Sequence, residues 1–461
     1  MKGLEVSEVR LSELERTWRI DSEFYEKENL SIQILLKDLK AIPLTDVVGV
    51  SDGNHMSISD NFCDTGIPYY RGQDIHNFFI ENANPVCIPE SIYKMPTMSR
   101  SYLRKGDVLL SIVGTIGEVS LVSTDKDATC SCKLAILRPK GKCKSETIAL
   151  FLQSKYGQNQ IRKFIRGAVQ MGFILEDVNQ IFIPQFSSTF QSKVEQTVKS
   201  AHGKLADSKS LYSEAEEILL TELGLKNWQP GSKAVNVKRL KESFLRTGRL
   251  DSEYYLPRYE DYVRLMERYR GGCGEFGSVC SVNEANYVPV SNAEYKYIEL
   301  GDIGNCGVIT GCTVAAGQEL PSRARRLVHT NDVILSSVEG SLQSCALVTS
   351  EYDNAICSTG FYVVRSAVMN PETLLMLFKS APMQNLFKRN CTGTILTAVS
   401  HNELKKIPVP KVRAEVQAEI AENVKKSISL RGEAKSLLEG AKQEVEDAIE
   451  YEFARGGGTS E

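Results

Sequence analysis

The chain contains one long segment twice. Arg19-Ile20-Asp21-Ser22-Glu23-Phe24-Tyr25 returns as Arg249-Leu250-Asp251-Ser252-Glu253-Tyr254-Tyr255 in a chain of 461 residues, a shift of about 230 positions. Further landmarks keep nearly the same offset: Asp74-Ile75 with Asp302-Ile303, Asp107 to Val113 with Asp332 to Val338, Cys130 with Cys357, and Arg138 with Arg365. Ile183-Pro184 with Ile407-Pro408 and Lys209-Ser210-Leu211 with Lys435-Ser436-Leu437 complete the series. A unit this long, used only twice, is no solenoid repeat; it predicts two like domains related by a pseudo-twofold.

Within each copy the pattern predicts an α+β fold. A helix follows the Asp-Ser-Glu-aromatic-Tyr opening, over Glu23 to Leu39 and Pro257 to Tyr269. Short β-type runs come next: Ile67 to Arg71, Gly106 to Ile112, Val119 to Val122 and Lys133 to Leu137 in the first copy, with Tyr295 to Leu300, Asp332 to Ser337, Cys345 to Val348 and Gly360 to Val364 in the second. One helix, Thr147 to Ile165 or Pro371 to Lys388, then leads to the strand ending at Ile183-Pro184 or Ile407-Pro408.

A narrow apolar stripe follows each globular part. Val194, Val198, Ala201, Leu205, Ser208, Tyr212, Ala215 and Leu219 advance by alternating steps of four and three, the seam of a coiled coil. Ile420, Val424, Ser427, Arg431, Ala434, Leu438, Ala441, Val445 and Ala448 keep the same alternation, with Arg431 out of place in a dry seam. Small residues on both stripes suit one closely approaching partner helix, so the two helices are expected to pair as an antiparallel coiled coil. Docking of each helix on its own domain is the competing expectation, and it calls for a wider apolar face. The expected layout is a globular domain at 1–185, a helical spacer at 186–225, a second domain at 226–410, and a second spacer with a flexible tail at 411–461.

These residues carry a family resemblance. Gly106 to Gly117 (Gly-Asp-Val-Leu-Leu-Ser-Ile-Val-Gly-Thr-Ile-Gly), Ile181 to Pro184 and Ser213 to Leu225, together with the repeated opening, resemble the DNA-specificity subunit of a type I restriction-modification system. The resemblance covers nearly the whole chain. It departs at Gly340-Ser341-Leu342-Gln343, which replaces Gly114-Thr115-Ile116-Gly117, and in the reduction of the segment opening each helical region to Gln191 and Gln417. It implies two target-recognition domains reading a bipartite, non-palindromic site on double-stranded DNA, with paired helices as the ruler between half-sites. The implied partners are two methyltransferase subunits and, through the complex, restriction subunits.

No catalytic equipment is expected in the chain itself. It has no Walker-type phosphate loop, no Pro-Pro-aromatic methyltransferase element and no His-Glu-x-x-His, so neither cofactor nor metal is expected. Gly272-Cys273-Gly274-Glu275-Phe276-Gly277 mimics a dinucleotide fingerprint but follows a helix-like stretch rather than a strand, and reads as a turn. Cys130 and Cys132 with Cys143 offer no fourth ligand and read as buried thiols. Twelve scattered cysteines, no apolar run near the ~18 residues of a membrane span, and no export signal predict a cytoplasmic protein with reduced thiols and no membrane association.

A net charge of −3 requires any nucleic-acid surface to be local. Guanidinium, ammonium and amide groups serve phosphates and base edges, which selects three patches. The first is Tyr69, Tyr70, Arg71 and Gln73, at a strand end. The second is Arg323, Arg325 and Arg326, with Arg100, Arg104 and Lys105 as their first-copy equivalents. The third is Arg162, Lys163 and Arg166, with Lys388 and Arg389, near the ends of equivalent helices. A pseudo-symmetric protein scaffold that binds no DNA is the alternative.

Overall fold

The computed structural model describes residues 5–11, 19–82, 85–167, 171–231, 235–393 and 396–456; the expected tail at 457–461 lies outside them. The fold is α+β and divides into two compact units, Met1–Lys204 with Glu433–Glu461, and Leu205–Gly432. Among the described residues no helix is long and apolar enough to cross a membrane.

In the first unit a four-stranded antiparallel sheet runs in the order Val48–Asp52, Leu134–Pro139, Val108–Ser111, Val119–Leu121. A second sheet places Ile67–Tyr70 between antiparallel Val86–Ile88 and parallel Thr129–Cys130. The second unit repeats both. Its order is Cys280–Asn283, Phe361–Ser366, Val333–Ser336, Cys345–Leu347, and Glu294–Ile298 lies between antiparallel Thr313–Ala316 and parallel Ile356–Ser358. One strand is added in the second unit: Ala324–Leu327 extends that sheet as an edge on Ile356–Ser358. The central strands read from sequence, Val108–Ser111 and Val333–Ser336, are fully buried; Leu109 shares a core with Tyr70 and Cys130 of the second sheet, as Ile334 does with Ile298 and Cys357, while Val333 and Leu335 share one with the helix residues Leu374 and Leu377.

The single helix expected in each copy is two. Ser145–Gln153 and Lys155–Lys163 are separated at Ser154, and Pro371–Lys379 and Ala381–Arg389 at Ser380. Both serines are extended, with ψ of 162° and 143°. Ser154 caps the next helix by accepting from the Gly157 N–H at 3.3 Å. Serine competes with the helical backbone in this way, and apolar periodicity alone does not register the break.

The repeated opening is a lock. Arg19 grips Asp21 through Nε (2.8 Å) and a terminal nitrogen (2.6 Å), stands 4.9 Å from the Phe24 ring centroid and donates to the Lys163 carbonyl. Tyr25 then donates to the Arg19 carbonyl at 2.8 Å. Arg249, Asp251, Tyr254 and Tyr255 reproduce every part, with the Cys391 carbonyl as the receiving group. The motif that exposes the duplication thus ties the start of each copy to the end of its helix pair.

The two long helices are Ser188–Glu222 and Ala414–Gly456. In the first unit Lys193 pairs with Glu444 and Lys204 with Glu433; in the second, Ser208 meets Ser427 and Glu222 meets Arg413. Residue numbers rise on one helix as they fall on the other, so the pairing is antiparallel. Val194, Val198, Ala201, Ala215, Leu219, Ile420, Val424, Ala434, Ala441 and Val445 are buried, while Leu205, Tyr212 and Leu438 are partly buried. Docking accompanies the pairing. Ala215, Leu219, Ile420 and Val424 share one core with Leu374, Leu377 and Phe378 of the second unit. In the first unit, Glu446 accepts from the Lys155 N–H at 2.7 Å. Arg431, the misfit of the seam, turns to the Cys306 thiol at 3.0 Å.

Candidate nucleic-acid interface

Tyr69 and Tyr70 are not surface groups. They are 5% and 4% exposed and lie in the apolar cores behind their sheet, and burial raises both phenol pKa values. The strand delivers both rings inward because it is covered on both faces, so the alternation that would expose one of them does not operate. Arg71 is held by Asp74, Nε–Oδ2 at 2.8 Å and a second nitrogen to Oδ1 at 3.1 Å. The same aspartate accepts the Arg71 backbone N–H, as Asp302 accepts that of Glu299. Arg71 and Glu299 therefore flank one shared turn, and only Gln73 of this patch stands exposed and without such a tie.

Five of the eleven remaining candidate cations meet acids. Arg100 pairs with Asp52, which also takes His55 at 2.5 Å; Lys105 pairs with Asp125 at 3.1 Å; Arg166 reaches Asp177 at 2.6 Å. Burial of Asp177 raises its pKa in spite of that arginine. Lys163 lies 4.1 Å from the Phe24 ring centroid and donates to Gln33, which makes it part of the lock at the chain opening. Arg323 pairs with Glu299 at 2.7 Å and touches the Tyr297 hydroxyl. Lys388 lies 3.9 Å from Glu253 and 4.0 Å from Glu339. Intramolecular neutralisation of this kind weakens any contribution to phosphate binding.

Five of the candidate arginines show no acidic partner among the described residues. Arg104 is exposed; Arg162 donates to the Gln158 carbonyl; Arg325 donates to the Ser322 carbonyl. Arg326 donates to the Glu284 carbonyl and to Asn286 Oδ1 at 2.9 Å, and Arg389 stacks on Tyr254 at 4.3 Å.

Arg325 and Arg326 are brought together with a loop that the sequence reading overlooked. They occupy the added edge strand, and the segment from Glu284 to Tyr287, which opens the loop to Ala293, lies against them, with the Tyr287 N–H donating to the Arg325 carbonyl. Val288 and Val290 on this loop are 71% and 62% exposed. The first unit puts Arg100 in the corresponding place, tied to Asp52 and thereby to the loop after Val48–Asp52, where Met56 is exposed. A loop has no hydrophobic period, so neither segment gave a signal to periodicity. Basic groups beside exposed apolar and amide side chains match phosphates next to base edges and thymine methyls.

The Gly114-Thr115-Ile116-Gly117 turn is structural. Gly114 and Gly117 have φ of 90° and 97°, conformations that suit glycine. Gln158 Nε2 fastens the turn by donating to the Gly117 carbonyl and to the Leu152 carbonyl, both at 2.8 Å. Gln384 makes the same two ties, to Leu342 and Phe378, on the divergent second loop. The fingerprint mimic at Gly272 is a left-handed turn entering the short strand Cys273–Glu275. No group of three or more metal-ligating side chains occurs among the described residues.

The chain is similar to solved S subunits of type I restriction-modification systems. The S subunit of a type I restriction-modification system from M. genitalium is 12% identical, with 89% of this chain and 94% of that one covered at a TM-score of 0.39. The HsdS subunit from Thermoanaerobacter tengcongensis is 14% identical, with 89% and 95% covered at a TM-score of 0.28. The type IIG restriction endonuclease BpuSI is similar over 41% of this chain and 30% of its own, at 12% identity and a TM-score of 0.31. No family model and no curated protein matches the sequence.

Proposed function

We propose that this chain is a non-catalytic DNA-specificity subunit. In this reading each unit recognises one half of a bipartite, non-palindromic site in double-stranded DNA, and the complete chain directs separate methyltransferase and restriction subunits to it. The observation that carries the reading is a scaffold built twice with identical ties and dressed with different loops. The Asp-Arg grips, the glutamine fasteners and the opening locks recur. Side chains facing outward after the first strand do not: His55 and Met56 stand in one unit, and Asn286, Val288 and Val290 in the other. Two readers of different sequences need this combination, and the paired helices serve as the ruler that sets the unread gap. A scaffold gripping two copies of one partner would instead repeat its outward groups.

The test is equilibrium binding to duplex DNA by the chain co-expressed with its methyltransferase, across a salt series. Replacing Arg325 and Arg326 with Ala is expected to weaken binding and to flatten the dependence of log K on log salt by about one to two, because fewer phosphates are neutralised. Failure of the intact complex to bind any duplex would give the scaffold reading the field.

A further inference from the structure

A cavity of about 850 Å³ lies in the second unit where the first long helix ends, away from the edge strand and its loop. Four arginines line it: Arg264 and Arg268 from the end of the helix Pro257–Glu267, Arg270 from the following turn, and Arg413 just before the second long helix. Two carboxylates face them, and both are already engaged. Glu222 holds Arg413 through two bonds of 2.7 and 2.6 Å and also takes the Tyr269 hydroxyl. Asp261 holds Arg264 at 2.9 Å and accepts the Gly231 N–H. Arg268 and Arg270 are exposed and have no acidic partner among the described residues, so the cavity carries an uncompensated positive charge. Trp228 and Tyr269 supply aromatic wall.

Complementing the helix dipole accounts for arginine at a helix C-terminus, hence for Arg264 and Arg268. It does not account for Arg270, or for aromatic side chains converging on the same space. Nor is the cluster part of the shared scaffold, since the repeat places Ile34, Asp38 and Lys40 where Arg264, Arg268 and Arg270 stand. A cavity of this volume is of ligand size. Guanidinium forks suit phosphate oxygens, and a ring on Trp228 or Tyr269 adds stacking and cation–π contact.

We propose that this cavity is a phosphate-binding site, with Arg268 and Arg270 as its anion-binding pair and Trp228 and Tyr269 as the wall for an attached planar ring. The inference stands apart from half-site reading, because its probes are small molecules and the edge-strand arginines are not involved. The experiment is calorimetric titration of the full chain with inorganic pyrophosphate and with ATP. Saturable binding of both is expected, one per chain, with ATP the tighter. R268A/R270A should weaken both by about tenfold or more, and W228L should weaken ATP while sparing pyrophosphate. R268K/R270K, which keeps charge without the fork, should fall between, and unchanged melting of each variant separates lost binding from lost folding. A duplex oligonucleotide that displaces ATP would identify nucleic-acid backbone as the phosphate source, and a duplex that does not would identify a free nucleotide. Absence of saturable binding of both small probes, or equal binding by R268A/R270A, would overturn the proposal.

Discussion

The Asp107 carboxylate, 1% exposed, receives the Arg138 guanidinium at two points, Nε to Oδ1 at 2.8 Å and a terminal nitrogen to Oδ2 at 2.7 Å. It also accepts the Arg104 backbone N–H at 2.8 Å. Asp332, Arg365 and the His329 N–H repeat the arrangement. In both units a buried acid at the start of a central strand is thus neutralised by an arginine from the neighbouring strand, and the same acid closes the preceding turn.

Arg138→Ala is therefore expected to cost more than its partial exposure suggests, because it strands a carboxylate in the sheet. About 2–4 kcal/mol is the expected scale. Asp107→Asn added to Arg138→Ala should recover part of the loss, since the unpaired charge is gone while an acceptor for the turn remains. Hydrogen exchange across Val108–Ser111 and Leu134–Pro139, beside melting curves, localises the effect to the first unit. Equal stability of the single and double variants would show that buried charge is not the issue.

Gln191 and Gln417 anchor the long helices. Gln191 accepts the Lys144 N–H at 2.9 Å and donates to the Phe186 carbonyl at 2.8 Å; Gln417 does the same with Asn370 and Val412. Replacing either with Ala leaves a donor and an acceptor without partners, at a cost of about 1–3 kcal/mol. The first two turns of the affected helix should lose exchange protection while later turns keep it, and Gln→Glu, which retains the acceptor alone, should be intermediate. Uniform loss along the helix would contradict an anchoring role.

Ser208 and Ser427 meet at 2.9 Å with 0% and 1% exposure, and Ser427 also donates to the Ser208 carbonyl. Removing both hydroxyls together leaves no side-chain partner stranded, so the double Ala variant should lie within about 1 kcal/mol of the parent. Ser208→Leu has no such room and should destabilise by about 1–3 kcal/mol. If the double Ala variant instead melts far below Ser208→Leu, the hydrogen bonds rather than the close approach hold the seam.

Much of this scaffold was legible because it was written twice. The repeated Arg19 and Arg249 openings, Asp107 and Asp332, and the two stripes all proved to be ties or cores, and each announced itself by returning at the same offset. The breaks at Ser154 and Ser380 were hidden, since apolar residues continue across them and only a local cap interrupts the helix. The candidate surface was less legible. Residue type selected Arg71, Arg100 and Arg166, yet it does not reveal that Asp74, Asp52 and Asp177 neutralise them, and strand alternation does not reveal that both faces at Tyr69 and Tyr70 are covered. Arg325 and Arg326 were selected by charge, while Asn286 and Tyr287, which the fold places against them, lie in a loop without a hydrophobic period.

Acid should loosen the long helices through two glutamates. Glu450 accepts from Lys155 Nζ at 2.6 Å and the Tyr156 hydroxyl at 3.1 Å, and Glu222 accepts from Arg413 and Tyr269. Hydrogen bonds from Lys155 and from Arg413, respectively, lower the two pKa values. A carboxyl group whose folded pKa is depressed contributes stability that is complete above its unfolded value, about 4.3 for glutamate, and is lost as pH falls through the folded value. Asp177, whose pKa burial raises, acts with the opposite sign in the first unit. Glu222→Gln with Glu450→Gln removes the acid-sensitive contribution. Parent and variant should therefore differ most in melting temperature near neutrality and converge as pH falls below about 4. Circular dichroism melts at stepped pH measure the gap, and a gap independent of pH would show that these ion pairs do not contribute to holding the helices in place.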